Sequence, residues 1–497
     1  MGIFSRLIKD TAIYGISSIV ARTINFFFVP LYTRMLGIGE YGIYIEIFGY
    51  IALLQVVLTF GLETGFFRYA SHDEHDASLV FSTILRFLFT TSLVFFAGIC
   101  FYSGSIAYLM GYFKVAVIYT AAILAIDCFT AVLFAKLRYE RKALKFAIFR
   151  TVKILSEVGF NIFLFFVMPG YFVDHPDSYL LNFIPATPDY RYILAAVFGS
   201  CVISLILFIP EIIRTPFRFS MRTLKTVLLY SLPLMIAGIP GVANDFIDRI
   251  LFRFFAPDTS PWLEQLGIFG ANTKLAVIMM LFVQMFRYAA EPFFFASSNQ
   301  PNVRQVYADV MRYFTAFCMV IFVFVMMYID AFSLVLGKDF RSGVTVVPIM
   351  LIANLLLGIN QNLSMWYKLY GKTNMALIVT LSGLGATLCV DIIFMPLFGN
   401  IAAASGHLVS YTVMVFISYR LSLKYYPIPY QWGRLMLYIF GGVILYLLSL
   451  LLSDMHIIIK LLFNTVLLFI YIFFVLRIEH ISIVAMAKQL YSKICRR

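Results

Sequence analysis

Charge is what this sequence has least of. Asp, Glu, Lys and Arg make up only 13% of its 497 residues, where a soluble domain carries about 25%. So little charge cannot cover a water-facing surface, and with 62% hydrophobic residues lipid is the solvent that explains the chain. Cysteine is also sparse. The six thiols (Cys100, Cys128, Cys201, Cys318, Cys389, Cys495) stand singly. Without a CxxC or a dense framework they indicate neither a metal site nor a disulfide scaffold. There is no Walker loop, no Gly-rich nucleotide fingerprint and no HExxH, so no motif for ATP hydrolysis, a cofactor or a metal is present. A large extramembrane domain is lacking too: the longest loop on the expected outer side runs from about 170 to 190 and carries no Lys or Arg before its end.

What is present are long apolar runs. In lipid every backbone N–H and C=O must be paired within the protein, which leaves helices and closed barrels. Barrel strands alternate polar and apolar residues, whereas these runs are continuous and helix-length. The predicted fold is therefore all-α, a polytopic membrane protein with about fourteen spans of roughly 20 residues. They are placed near 11–31, 41–62, 79–101, 115–135, 146–168, 191–213, 227–254, 265–289, 309–335, 344–367, 375–397, 399–419, 434–452 and 456–476. The first is expected to be an uncleaved span, because it is longer than a signal h-region and ends in Pro-Leu-Tyr-Thr-Arg.

The net charge of +13 would suggest nucleic acid in a soluble protein. Here the cations sit in short loops, and nucleic acid is excluded as a partner. Alternate loops differ several-fold in Lys and Arg. One set holds Lys136, Arg138, Arg141, Lys142 and Lys145, then Arg214, Arg218, Arg222 and Lys225, then Lys368, Lys372, Arg420, Lys424 and Arg434. The other holds scattered cases: Arg34, Lys114, Arg191, Lys338, Arg341 and Lys460. The positive-inside rule then gives an N-in, C-in topology.

A weak repeat is visible. Tyr14-Gly15-Ile16-Ser17 and then Tyr41-Gly42-Ile43-Tyr44 correspond to Tyr230-Ser231-Leu232-Pro233 and then Leu266-Gly267-Ile268-Phe269. Each second span ends in Phe-Arg-Tyr-Ala, at Phe67–Ala70 and Phe286–Ala289. The spacing predicts two six-helix bundles, 1–215 and 216–430, with two additional helices and a tail in 431–497. Transporter repeats place the substrate between the halves.

Charged and amide residues inside spans are the candidate site, since a charge at the span centre costs about 2.5 kcal/mol or more on insertion scales. Arg22 lies in the first span, with Ser18 and Asn25 on its face, and Lys274 in the eighth; neither has an acid at helical spacing. Each is either a cavity cation or, in the plainer reading, a structural partner of a carboxylate on another helix or a snorkelling side chain. Arg249 has Asp245 four residues before it, Arg287 has Glu291 and Lys153 has Glu157 four residues after them, and such pairs neutralise themselves on one helix. Asn360 and Gln361 suit sugar hydroxyls but equally serve as helix–helix glue. Glu46, Asp127 and Asp391 are lone in-span acids. They are either proton carriers for coupling or partners of the lone cations.

The basic start, the run Pro-Leu-Tyr-Thr-Arg-Met-Leu-Gly (Pro30–Gly37), Glu-Tyr-Gly-Ile-Tyr (Glu40–Tyr44), and later Leu-Gly-Lys-Asp-Phe (Leu336–Phe340) before a Pro-bearing span resemble the polysaccharide-transporter branch of the MOP superfamily, the Wzx-type oligosaccharide flippases. The resemblance covers nearly the whole chain. It implies two six-helix bundles facing each other in a V, no catalytic residue and no cofactor. The implied activity is translocation of a lipid-linked oligosaccharide, with polyprenyl diphosphate as carrier, across the bacterial cytoplasmic (inner) membrane for O-antigen, capsule or exopolysaccharide synthesis. Membrane lipids, and a polymerase or glycosyltransferases, are the implied partners, and proton or sodium coupling is left open. Three alternatives stand beside it. A lipid II flippase of peptidoglycan synthesis would share a cationic cavity. A MATE-type cation/drug antiporter would want an acid in the middle of the first span, which has none. A membrane-embedded glycan polymerase would want a sizeable outer loop or an acid just after the first span, and Arg34–Gly39 holds no Asp.

Overall fold

The computed structural model describes residues 24, 26–71, 76–297, 302–369, 372, 374–451 and 456–479. Among these the secondary structure is helical throughout, with no strand. Helices α1 (Val29–Met35), α2 (Ile38–Leu58), α3 (Leu62–Ala70), α4 (Ala77–Met110), α5 (Lys114–Tyr139), α6 (Ala143–Ile162), α7 (Met168–Asp174) and α8 (Tyr190–Arg214) come first. They are followed by α9 (Met221–Phe255), α10 (Trp262–Leu275), α11 (Val277–Ser297), α12 (Val303–Met327), α13 (Ile329–Ser333), α14 (Val346–Leu363) and α15 (Met365–Leu369). Then come α16 (Asn374–Phe398), α17 (Asn400–Tyr425), α18 (Trp432–Leu450) and α19 (Ile457–Ile478).

Local chemistry sets several of the ends. The Asp76 carboxylate accepts from Ser78 N–H at 2.9 Å and opens α4, and Asp189 accepts from Arg191 N–H at 2.8 Å and opens α8. Both satisfy N–H groups that the first helical turn leaves without partners. Gly111, at φ +70°, closes α4 in the left-handed conformation that glycine adopts without a Cβ penalty.

Among the described residues twelve helical stretches are long and apolar enough to cross a membrane, thirteen if the bent pair α10–α11 is one span. The expected span at 11–31 lies mostly outside the described residues. Many apolar side chains point outward with nothing over them: Phe101 is 82% exposed, Leu109 78% and Ile213 76%. Contiguous apolar surface of this kind is unusual on a soluble monomer and is what acyl chains cover.

Three spans depart from straight helices of the expected length. The stretch expected at 41–62 breaks at Phe60 (φ +52°) and Gly61 (φ +64°) and then continues as α3 to Ala70. The span expected to stop at 168, just before Pro169, runs on to Asp174 as α7. A wide π turn over Phe163–Val167 joins α6 to α7. Proline clashes with the carbonyl four residues back, and a π turn loosens the ladder at that place. The eighth span bends by 49° between α10 and α11. There Asn354 donates to the Ala276 carbonyl at 3.3 Å, giving the carbonyl at the break a partner.

The chain divides into two compact units. The first comprises Met1–Lys274, Leu336–Val346 and Lys372–Met414; the second comprises Leu275–Val335, Val347–Gly371 and Val415–Arg497. Within the first, α4 lies along α5, α8 packs on α5 and α6, and α9 packs on α2 and α16. A methyl group at Gly42 would overlap the Leu263 carbonyl, and one at Gly267 the Ile38 carbonyl. The corresponding glycines of the two repeats thus meet backbone to backbone, where α2 crosses α10. Within the second unit α12 packs on α18 and α19, and polar contacts hold that group together. Glu479, with 1% of its side chain exposed, binds Arg312 at 3.0 Å and also accepts from the Tyr438 hydroxyl. Asn464 donates to the Met327 carbonyl at 2.8 Å.

Candidate functional site

Most in-span charges turn out to be neutralised, and not by the partners that helical spacing predicts. Lys153 binds Asp127 on α5 at 2.6 Å rather than Glu157. Glu291 is taken by Lys368 rather than Arg287. Asp245 accepts from the Tyr411 hydroxyl at 2.7 Å, and no ion pair forms with Arg249 among the described residues. In each case a partner on another helix wins. A pair on one helix surface is worth only about 0.2–0.5 kcal/mol, less than a buried charge-assisted bond between helices.

Glu46 is the most completely satisfied acid. It is fully buried and receives two bonds from Arg253, at 2.7 and 2.9 Å, and one from the Tyr112 hydroxyl. Arg253 also donates to the Met110 carbonyl at 3.0 Å and lies 4.6 Å from the Trp262 ring centroid. Tyr112 sits in the turn between α4 and α5. Burial and then the Glu46 charge push its phenol pKa up, so it donates as a neutral hydroxyl. Asp127, besides Lys153, accepts from the Cys201 thiol at 3.3 Å. The lone acids Glu46 and Asp127 are therefore partners of Arg253, which sequence reasoning did not single out, and of Lys153, which it assigned to Glu157.

Among the charged groups left without such a partner in the described residues are Arg249, Lys274 and Asp391. Arg249, half-buried on α9, lies over the Phe246 ring at 4.4 Å and runs past Gly49, where a methyl group would come 3.4 Å from its Cβ. Lys274, half-buried, is the penultimate residue of α10 and precedes the bend. The charge of Arg249 reaches Lys274 as well as Tyr41 and Tyr44, so the two cations share one neighbourhood within the first unit. Tyr41 is fully buried there and its hydroxyl has no partner among the described residues.

Asp391, on α16, is fully buried and neither carboxylate oxygen has a hydrogen-bond partner among the described residues. A methyl group at Gly406 would overlap it, so only glycine there lets the carboxylate lie against α17. Nearby, His407 Nε2 is 3.3 Å from Asp248, both nine-tenths or more buried. Asn244 accepts from Thr387 at 2.6 Å and Ser410 at 2.7 Å. Sequence reasoning missed His407 and Asp248, although both stand inside apolar spans and were open to the same test as Asp391. Among the described residues no group of three or more His, Cys, Asp or Glu gathers to hold a metal.

Asn360 and Gln361 lie on α14 in the second unit. Asn360 is buried, and its amide oxygen lacks a partner among the described residues. Arg22 and Asn25 lie outside the described residues.

The fold and its unneutralised in-span cations define a class: a multi-pass helical membrane protein with polar chemistry built into its spans. The chain belongs to the polysaccharide biosynthesis protein family, matching it over residues 7–298. Solved structures share the fold. The lipid II flippase MurJ, in an inward closed conformation, aligns with a TM-score of 0.70 at 15% identity, covering 93% of this chain and 98% of that one. An inward-facing multidrug resistance MATE family transporter of the MOP superfamily aligns at 0.60 with 14% identity, covering 82% and 94%. An outward-facing one aligns at 0.56 with 14% identity, covering 84% and 95%. No curated protein matches the chain in sequence. The polysaccharide-family resemblance read from Pro30–Gly37 and Glu40–Tyr44 is thus borne out by the family match, and the fold is one shared with these solved transporter structures.

Proposed function

We propose that this protein is a flippase that moves a polyprenyl-diphosphate-linked oligosaccharide from the inner to the outer leaflet of the bacterial cytoplasmic membrane by alternating access, for surface polysaccharide synthesis. The observation that carries the reading is the bare pair Arg249 and Lys274. Two like charges held near each other inside membrane spans are costly when no acid forms an ion pair with either among the described residues; Asp245, one turn before Arg249, is engaged by the Tyr411 hydroxyl. Water or an anionic ligand must compensate them. A diphosphate fits: the guanidinium binds two phosphoryl oxygens through its planar fork, and the ammonium adds a point charge. Arg22 and Asn25 would join them from the first span; Asn360 and Gln361, candidates for sugar hydroxyls, belong to the second unit. The halves 1–215 and 216–430 would be the two rocking bodies, and 431–497 an appended pair.

Energy favours the direction. Each charge moved through 100 mV is worth about 2.3 kcal/mol, so an inside-negative membrane assists export of an anion. If an ion is coupled as well, Asp391 is its best carrier of the three lone acids. Glu46 and Asp127 are committed to Arg253 and Lys153, while Asp391 is bound to nothing and lies near the Asp248–His407 pair.

The test is complementation of glycan export in a strain lacking its flippase, with membrane levels of the protein quantified. Arg249→Ala and Lys274→Ala should insert at normal levels and reduce export at least tenfold. Normal export by both would sink the cationic site. Rescue of a strain depleted of its lipid II flippase, without rescue of glycan export, would move the substrate to lipid II.

A further inference from the structure

The stretch Asp245–Arg249 of α9 carries three charges in little more than one turn: Asp245, Asp248 and Arg249. The simplest arrangement would pair them on the helix itself, because an acid four residues before a cation is the favoured order for a same-helix ion pair. The structure takes another course. Helix α17, whose part up to Met414 belongs to the same unit, engages the polar side chains of this stretch instead. Ser410 donates to Asn244 at 2.7 Å, the Tyr411 hydroxyl donates to Asp245 at 2.7 Å, and His407 Nε2 lies 3.3 Å from Asp248. The pairings 244–410, 245–411 and 248–407 run in opposite directions along the two helices, so they make one continuous seam.

This seam takes up both acids and leaves the cation. The Arg249 guanidinium lies over the Phe246 ring, and its stem runs along Gly49 on α2. Asp245 stays within electrostatic reach of Arg249, as it does of Asp248 and His407. What keeps its carboxylate from closing on the guanidinium is the bond to Tyr411. A hydroxyl donating to a carboxylate is a charge-assisted bond, stronger than one between neutral groups. Tyr411 is itself buried, so bulk water does not compete for its hydroxyl.

We propose that Tyr411 sets the anion affinity of the site: by holding the Asp245 carboxylate on α17, it prevents an ion pair one turn from Arg249 and leaves the guanidinium to a phosphoryl group. A carboxylate and a phosphate want the same planar N–H fork. A freed Asp245 would therefore be a tethered competitor, present at the site at a high effective concentration. Tyr411 is a positioning residue; it acts through Asp245 and touches no substrate. The proposal rests on the anion site read from Arg249 and Lys274, and its test separates the two.

The measurement is binding of farnesyl diphosphate to the full chain in phosphatidylcholine nanodiscs, with folding checked by thermal unfolding. Tyr411→Phe keeps the ring and removes the hydroxyl; it should weaken binding about tenfold. Asp245→Asn added to Tyr411→Phe should return the affinity to the wild-type value or better, because the competitor is gone. A role in packing alone would not give that rescue, since a second polar loss in one seam does not rebuild the first. Asp245→Asn alone should tighten binding severalfold, and unchanged affinity in that variant would overturn the proposal even if Tyr411→Phe does not fold. Unchanged binding by folded Tyr411→Phe, or a loss that Asp245→Asn does not restore, would also overturn it. In those cases a loss in Arg249→Gln or Lys274→Gln leaves the flippase reading standing. Unchanged binding in both of these variants would overturn the anion site and the role of Tyr411 with it.

Discussion

Two arginines stand one helical turn apart on α9 and differ in everything but charge. Arg253 is saturated: a bidentate carboxylate, a phenol, a backbone carbonyl and an indole face surround it. Arg249 has a single ring beside it and a second cation, Lys274, within electrostatic reach. A membrane protein can hold a charge inside a span either by completing its coordination or by leaving it for something mobile. The first arrangement fastens helices: Glu46 on α2, Tyr112 in the turn after α4, and Arg253 on α9. The second, in the reading proposed above, is what an anion would compensate. The contrast separates structure from function more sharply than the identity of the residues does.

Breaking the saturated arginine should have the largest effect. Removing one partner of a buried pair leaves an uncompensated charge and costs about 3–5 kcal/mol. Glu46→Ala should lower the membrane level of the protein and its thermal midpoint, and Glu46→Leu with Arg253→Met together should restore much of both. Wild-type levels and midpoint in Glu46→Ala would erase the distinction drawn here. A smaller effect should come from replacing each arginine by lysine, which keeps the charge and loses the fork. One charge-assisted bond is worth about 1.5–3 kcal/mol, roughly tenfold or more in affinity. Arg249→Lys should slow export about tenfold at normal protein level, while Arg253→Lys should lower the level and leave the export per molecule unchanged. The reverse assignment, seen in the same export and quantitation assay, would exchange their roles. The smallest expected effect is none. A site built on bare cations repels cationic dyes, so overproduction should leave resistance to ethidium unchanged. Proton-dependent dye efflux, abolished by Glu46→Gln, would favour the antiporter.

Much of the fold was legible because lipid leaves few options: continuous apolar runs of this length must be helices, and the loops must carry the cations. The bend between α10 and α11 was not legible. Leu275-Ala276-Val277 contains no proline or glycine, and the partner of the freed carbonyl, Asn354, comes from 78 residues further on. The continuation past Pro169 was hidden for the opposite reason, since a strong stop signal is overridden by a π turn that no short pattern announces. At the site, the sequence isolates Lys274 because no acid stands near it in the chain. It passes over Arg253 and misassigns Lys153 and Glu291 because their partners are 207, 26 and 77 residues away, and spacing along one helix carries no information about its neighbours. Glu46 and Asp127 were read with two outcomes open; the structure pairs them with Arg253 and Lys153 rather than with Lys274.

The crossing of α2 and α10 at Gly42 and Gly267 has a consequence for how this sequence can drift. Each glycine is the surface against which the other half's backbone rests, and each occupies the same place in its own repeat. Enlarging either one pushes on the counterpart copy of the same motif, so the two positions behave as one evolutionary character recorded twice. Relatives that acquire a side chain at one of them should therefore have widened the crossing as a whole, and substitutions there should occur together or not at all.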